Sequence, residues 1–368
     1  MKVALIHDYL IRFGGAERVF LNLRKIFPKA EIFTLLYDEK NMGKYFSDVK
    51  VNTSFLQGFP KFWRKRQKYL LPFIPMAPET FDLREFDLVI SSSSSFVKGV
   101  ITRPNSIHVC YCHSPMRFGW DAYSSYLKQQ RKGSLTNLAI SIMMHYIRIW
   151  DKSASNRVDY FISNSKVTAG RIKKFYGKES KVIYPPVNLS VFDMPLEQKH
   201  FLIVSQLTPY KRIDLAVETF NKLGLPLMII GEGPEKKRLQ KMANDNIKFL
   251  GWKSDRIVKG YFQKCIAFLF PGEDDFGIAP VEAMGFGKPV LAYRKGGATE
   301  TILEGITGEF FDDSTSESLA DGVRRILVNL DNYSPLVIRK RAEKFSQDRF
   351  EKDMKEFVIK LLEQRKLQ

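Results

Sequence analysis

The chain has 368 residues, 44% of them hydrophobic and 27% charged, with 29 Phe and 15 Tyr. This is enough apolar material for two or three cores, and it excludes a disordered chain. The formal charge of +18 is lopsided: residues 1–186 carry 30 Lys and Arg against 14 Asp and Glu, whereas residues 187–368 carry 28 against 26.

A net of +16 on one half suggests an anionic partner for that half: nucleic acid, lipid headgroups or a phosphorylated substrate. No apolar run approaches the ~18 residues of a membrane-spanning helix. The opening MKVALIHDYL reaches His7 and Asp8 too soon for a signal-peptide core. Cys110, Cys112 and Cys265 are an odd set with no disulfide framework, which suits a reducing cytosol.

In chain order, KVALIHDYL reads as a buried strand and residues 18–27 as a helix after Gly14 and Gly15. Residues 31–37, 86–91, 107–112, 158–163 and 181–184 read as further strands with helical patterns between them. That alternation is the signature of a parallel sheet covered on both faces. Pro185-Pro186 ends this half, and the aperiodic stretch to about residue 200 reads as a linker. The same grammar then restarts, with strands at 201–205, 227–230, 247–250, 266–270, 290–293 and 308–311. Helices are expected at 213–223 and 235–243, and an amphipathic one at 345–362. The expected class is α/β, with two doubly wound parallel-sheet domains at 1–187 and 188–344 facing a cleft. In such sheets ligands sit beyond the carboxyl ends of the strands.

The stretch FPGEDDFGIAPVEAMGFGKPVLAY (270–293) carries the most chemistry. A strand ends at Phe270, and the acidic loop Glu273-Asp274-Asp275-Phe276 leads into a helix beginning near Gly277. Asp274 and Glu282 then stand before and inside that helix. The amides of Gly277, Ile278 and Ala279 lack intrahelical acceptors and favour an anion. Carboxylates for hydroxyls beside amides for a phosphate suit a sugar joined to a nucleotide. Taken singly, each feature also has an ordinary reading as a charged first turn or a helix stop.

Other stretches fall in order along the chain: HDYLIRFGGAERV, CYCHSPMRFGWD, ISNSKVTAGRIKKFYG, VIYPPV, VSQLTPYKRIDLAVETF, IIGEGP, FLGW and GGATETI. With the 270–293 stretch, they make the sequence similar to the retaining family 4 glycosyltransferases. It most resembles the bacterial GDP-mannose-dependent branch of O-antigen and polysaccharide assembly. The resemblance implies the GT-B fold of two Rossmann-like domains, with the last helix (345–368) returning to the first.

By that resemblance Glu282 would hold the nucleotide ribose, and the first acid, Asp274 or its neighbour Glu273, the donor sugar. Lys211, with Arg212 beside it, would grip the diphosphate. Gln206 stands where the family has an Arg. Gly14 and Gly15 would let backbone amides approach the phosphates, and His113 would contact the donor sugar. Gly251 and Trp252 would flank the base. No metal or cofactor is implied, only a nucleotide-sugar donor. The segment FPKFWRKRQK (59–68) has five basic residues and no acid. With Trp63, Arg64 and Arg66, and Arg117 elsewhere, it is expected to face an anionic membrane or a lipid-linked glycan acceptor. The enzyme would then be cytoplasmic and peripheral at the inner face of the membrane. A sugar-nucleotide epimerase and a basic nucleic-acid binder are the alternative readings; no nucleic acid is expected on the first.

Overall fold

The computed structural model describes residues 1–66, 69–121, 123, 134–189 and 198–366. The chain forms two compact units: Met1–Tyr184 with Asp353–Gln368, and Pro185–Lys352.

The first unit is built on seven parallel strands: β1 (Val3–Leu10), β2 (Glu31–Tyr37), β3 (Val51–Thr53), β4 (Leu88–Ser93), β5 (Ile107–Cys112), β6 (Tyr160–Ser163) and β7 (Ser180–Val182). They lie in the order β3-β2-β1-β4-β5-β6-β7. Every residue of β4 and β5 is buried. Helices therefore cover both faces, as a parallel sheet requires. Chain order reverses between β1 and β4, so adjacent crossovers leave in opposite directions there and open a crevice at the carboxyl edge.

The second unit repeats the plan with six strands: β8 (His200–Val204), β9 (Leu227–Ile230), β10 (Ile247–Gly251), β11 (Cys265–Phe270), β12 (Val290–Tyr293) and β13 (Gly308–Phe311). Their order is β10-β9-β8-β11-β12-β13, and the reversal falls between β8 and β11. All pairs in both sheets are parallel, as the alternation of strand and helix patterns predicts.

Several boundaries differ from the sequence expectation. The strand expected at 86–91 runs from Leu88 to Ser93, with Asp87 just ahead of it. The Asp87 carboxylate accepts hydrogen bonds from the Lys2 amide at 2.8 Å and from Arg103 at 2.6 Å. Two serines enter the sheet with this shift. The helix expected from residue 18 begins at Gly15. The last helix, Gln347–Lys366, starts two residues late because Phe345 and Ser346 pair with Val187. From Asp353 onward this helix belongs to the first unit, where the Phe357 ring meets Tyr160 at 6.5 Å and Arg365 donates to the Asn105 carbonyl. Part of the expected linker, 190–197, lies outside the described residues.

Candidate active site

At the β8/β11 reversal of the second unit, two loops meet. After β8 the chain makes a short turn, Pro209–Lys211, ahead of the helix Ile213–Leu223. After β11 it runs through Gly272 to Asp274, then to the helix Ile278–Gly285. The loops touch at backbone level: a Cβ on Gly272 would stand 2.7 Å from the Lys211 Cα, so only glycine fits.

This contact brings Lys211 Nζ onto Asp274 Oδ2 in an ion pair that is largely buried on both sides. Burial disfavours the ammonium, but Asp274, Tyr210 and Asp275 outweigh it, and the Lys211 pKa lies above its ordinary value. Its Nζ also lies over the Phe270 and Tyr210 rings, 5.8 and 5.2 Å from their centroids. A permanently charged cation is thus fixed at the carboxyl edge of the sheet.

The loop after β12 closes on the same place. The Gly297 amide donates to the Asp274 carbonyl at 2.9 Å, and a Cβ on Gly297 would stand 2.3 Å from the Phe276 Cα. Gly277 caps the following helix in a left-handed conformation (φ 85°), which a side chain would oppose. The first helical amides, at Ile278 and Ala279, have no intrahelical acceptor, and Pro280 has no N–H to leave unpaired. Glu282 stands half-buried in the second turn. Lys211 and Asp274 therefore meet just ahead of the helix start, and Glu282 stands one turn further along that helix.

Other expected donor residues stand apart from this edge or face elsewhere. Arg212 has φ 51°, the only positive value at a non-glycine among the described residues. Its guanidinium is directed to Ser314 and, at 3.4 Å, to Asp214. Gln206 is exposed. Trp252 is 73% exposed beside Gly251, near the Glu232–Lys236 ion pair of 2.7 Å.

In the first unit the carboxyl edge holds residues that the sequence reading left out. His113 follows β5, its amide donating to the Ser93 carbonyl at 2.8 Å. Its Nε2 lies 2.8 Å from Ser92 Oγ, and the same hydroxyl lies 3.0 Å from His7 Nδ1. Burial, with repulsion from His7, pushes His113 down to about 3, so its ring is neutral. Glu17 Oε1 stands 3.4 Å from His7 Nε2.

Asp8 is a buried carboxylate that accepts four backbone N–H groups, from Ser94, Ser95, Phe96 and Val97, at 2.6–2.9 Å. With every lone-pair direction occupied, it fixes the serine loop and is not a ligand. Behind it, Lys98 and Asp151 form a fully buried ion pair, and Asp151 also accepts from Tyr176 at 2.8 Å and Trp120 at 2.7 Å. Cys110 and Cys112 are buried, and no group of three or more potential metal ligands occurs among the described residues.

The basic segment forms a short helix, Lys61–Lys65, whose aromatic residues are largely uncovered. Trp63 stacks on Phe59 at 5.9 Å, and the Arg66 guanidinium lies 4.5 Å over the exposed Phe62 ring. Lys68 lies outside the described residues. Arg117 pairs with Asp121 at 3.8 Å, which also takes Arg171 at 3.0 Å. No helix among the described residues is long and apolar enough to cross a membrane.

Residues 13–191 match the family described as Glycosyltransferase Family 4, and residues 190–345 match Glycosyl transferases group 1. An uncharacterized glycosyltransferase of Methanocaldococcus jannaschii is 24% identical, over 89% of each chain. The alpha-1,3/1,6-mannosyltransferase ALG2 of Mus musculus is 25% identical, over 95% of this chain and 94% of its own. Among solved structures, Anabaena HepE in complex with UDP and glucose superposes with a TM-score of 0.69 at 19% identity, over 97% of this chain and 99% of its own. The twin sheets and these two consecutive matches make the chain a glycosyltransferase of the GT-B fold, its amino-terminal part similar to Glycosyltransferase Family 4 and its carboxyl-terminal part to Glycosyl transferases group 1.

Proposed function

We propose that the protein transfers a hexose with retention of configuration, mannose from GDP-mannose being the first choice of donor. The acceptor is a glycan carried on polyprenyl diphosphate, in bacterial surface polysaccharide synthesis. The observation that supports this most is the set of Lys211, Asp274, the Ile278 helix start and Glu282 at the β8/β11 reversal. Bond breaking leaves negative charge on the diphosphate, and a fixed ammonium beside unpaired amides stabilises that charge as it develops. Glu282 accepts the ribose hydroxyls, Asp274 or Glu273 the sugar hydroxyls, and His113 orients the sugar. The carboxylates are thus assigned to holding hydroxyls, and the chemistry rests on positioning and leaving-group stabilisation.

The name of the mouse relative supports mannose. The UDP bound in the Anabaena structure makes uridine the rival base. The exposed aromatic and basic surface around Phe62 and Trp63 supports docking at an anionic membrane, because aromatic rings settle at the headgroup level and cations pair with lipid phosphates. We place the enzyme at the inner face of the cell membrane. An epimerase has no use for such a surface.

The test is transfer from labelled GDP-mannose to a polyprenyl-diphosphate glycan in vesicles containing anionic lipid. The expected result is label in the lipid fraction with an α linkage, as in the donor. Transfer from UDP-glucose but not GDP-mannose would reassign the donor. A β-linked product would contradict retention.

A further inference from the structure

Four side chains at the carboxyl edge of the first sheet form an unbranched chain: Glu17, His7, Ser92 and His113. The fold creates it by register. His7 of β1 is paired with Ser92 of β4, and Ser93 of β4 with Cys112 of β5, the residue before His113. Ser92 Oγ therefore lies between two imidazoles, 3.0 Å from His7 Nδ1 and 2.8 Å from His113 Nε2. Glu17, in the first turn of the helix Gly15–Ile26, closes the far end at 3.4 Å from His7 Nε2. Gly14 leaves the room this needs, since a Cβ there would stand 2.9 Å from Glu17 Oε2. The Phe20 ring stacks on His7 at 4.9 Å and fixes its plane.

The direction of the chain follows from its end. An ionised carboxylate only accepts, so the hydrogen in the first link belongs to His7 Nε2. A neutral imidazole with Nε2 protonated has a lone pair at Nδ1, and the single Ser92 hydrogen must point there. The Ser92 oxygen then has only lone pairs to offer His113, so His113 Nε2 is the donor in the last link. His113 Nδ1 is left unprotonated, and it has no hydrogen-bond partner among the described residues.

We infer that Glu17, His7 and Ser92 are positioning residues that set His113 as the Nε2–H tautomer, so that its Nδ1 accepts a hydroxyl of the donor sugar. Donor selectivity follows: a sugar with a hydroxyl at that position completes the chain, whereas a deoxy sugar leaves an acceptor unmet. The near-neutral range matters little for His113 itself, because its burial holds the ring neutral well below pH 6. The sugar contact rests on the donor-site reading given above; the tautomer does not.

The chain contains only five histidines, so ring-15N labelling with long-range proton–nitrogen correlation resolves each tautomer in the wild-type protein. At pH 8 both His7 and His113 are expected to carry hydrogen on Nε2. Hydrogen on Nδ1 of either ring would overturn the inference without any variant. In kinetics, Ser92→Ala and Glu17→Gln are expected to raise KM for the sugar nucleotide about tenfold, the size of one hydrogen bond to an uncharged group. Affinity for the bare nucleoside diphosphate should hold, and Ser92→Thr should restore the lost part. An equal loss of diphosphate affinity in Ser92→Ala would mean that Ser92 acts through stability and would overturn its role. If the wild type binds no nucleoside diphosphate at all, the donor-site reading fails while the tautomer result stands.

Discussion

Lys211 and Asp274 are bonded to each other, although the proposal gives the first to the diphosphate and the second to the sugar. On the proposed reading, the anionic donor competes with this single carboxylate for the cation. Lys211→Met should therefore weaken binding of the bare nucleoside diphosphate by roughly 10–100-fold, the range for a charge-assisted contact. Asp274→Asn removes that competitor, so it should raise that affinity and weaken the sugar conjugate relative to it. Calorimetric titration of the two ligands against both variants separates the roles, and identical losses for both ligands in Asp274→Asn would contradict them.

A second residue-scale consequence concerns His108, which is fully buried and held by Ser91 at 2.8 Å and the Arg157 carbonyl at 3.3 Å. Burial, helped by repulsion from the Arg157 guanidinium, pushes it down to about 4, against the smaller opposing effects of its hydrogen bond to the Arg157 carbonyl and of Asp159. The unfolded chain binds a proton below the ordinary value of about 6.5 and the folded chain does not, so this residue makes stability fall as pH drops from about 6.5 towards 4. The slope from this one ring is about 1 kcal/mol per pH unit. Urea unfolding of His108→Gln at pH 7 and pH 5 should show a smaller loss than the wild type; equal losses would remove His108 from the account.

At the level of elements, the site is made by loops that approach one another through glycines. Gly272→Ala puts a methyl group into the backbone of the Tyr210–Lys211 turn, with contacts of 2.7–2.9 Å. It should cost about 1–3 kcal/mol and loosen the diphosphate grip with it. Gly260, inside the helix Asp255–Lys264, has open space at the same test position. Gly260→Ala should therefore stabilise by about 0.5–1 kcal/mol. Opposite signs in chemical denaturation check the pair, and destabilisation by both would refute the steric argument.

The same element scale explains what the sequence made legible. Asp274 and Glu282 lie in one short acidic stretch that stands out by itself, whereas Lys211 stands out only through the family resemblance of VSQLTPYKR. The Ser92 bridge could not be read in either way. His7 and Ser92 are 85 residues apart and meet only because the sheet places β4 beside β1. By composition the serine run 91–95 is a low-complexity tract, yet Ser91 holds His108, Ser92 joins two histidines, and the amides of Ser94 and Ser95 bind Asp8. A polar residue inside a predicted buried strand, such as His7 or Asp8, was the available signal, because such a group must find partners. The buried Lys98–Asp151 pair was hidden for the same reason as the bridge: its members come from distant parts of the chain.

For the whole molecule, each unit carries its candidate site residues at the point where strand order reverses, His7 and Ser92 at β1/β4 and Lys211 and Asp274 at β8/β11. The charge follows the same division, with a net of +16 on residues 1–186 and near balance on the rest. A nearly neutral second half with a largely buried cation at its strand-order reversal suits selective binding of a small anionic donor, whereas a broadly basic first half suits an extended anionic surface. The most direct measurement of this account is a thermal-shift panel of GDP, UDP, ADP and dTDP with their sugar conjugates, on the wild type and on Glu282→Ala. At a hundred times its dissociation constant a ligand adds about 2.7 kcal/mol of stability, a rise in Tm on the order of 5–10 °C for a unit of this size. The account predicts such a rise with one nucleoside diphosphate and its sugar conjugate, GDP and GDP-mannose first, and its loss in a folded Glu282→Ala. No rise with any of them, or an undiminished rise in Glu282→Ala, would contradict it.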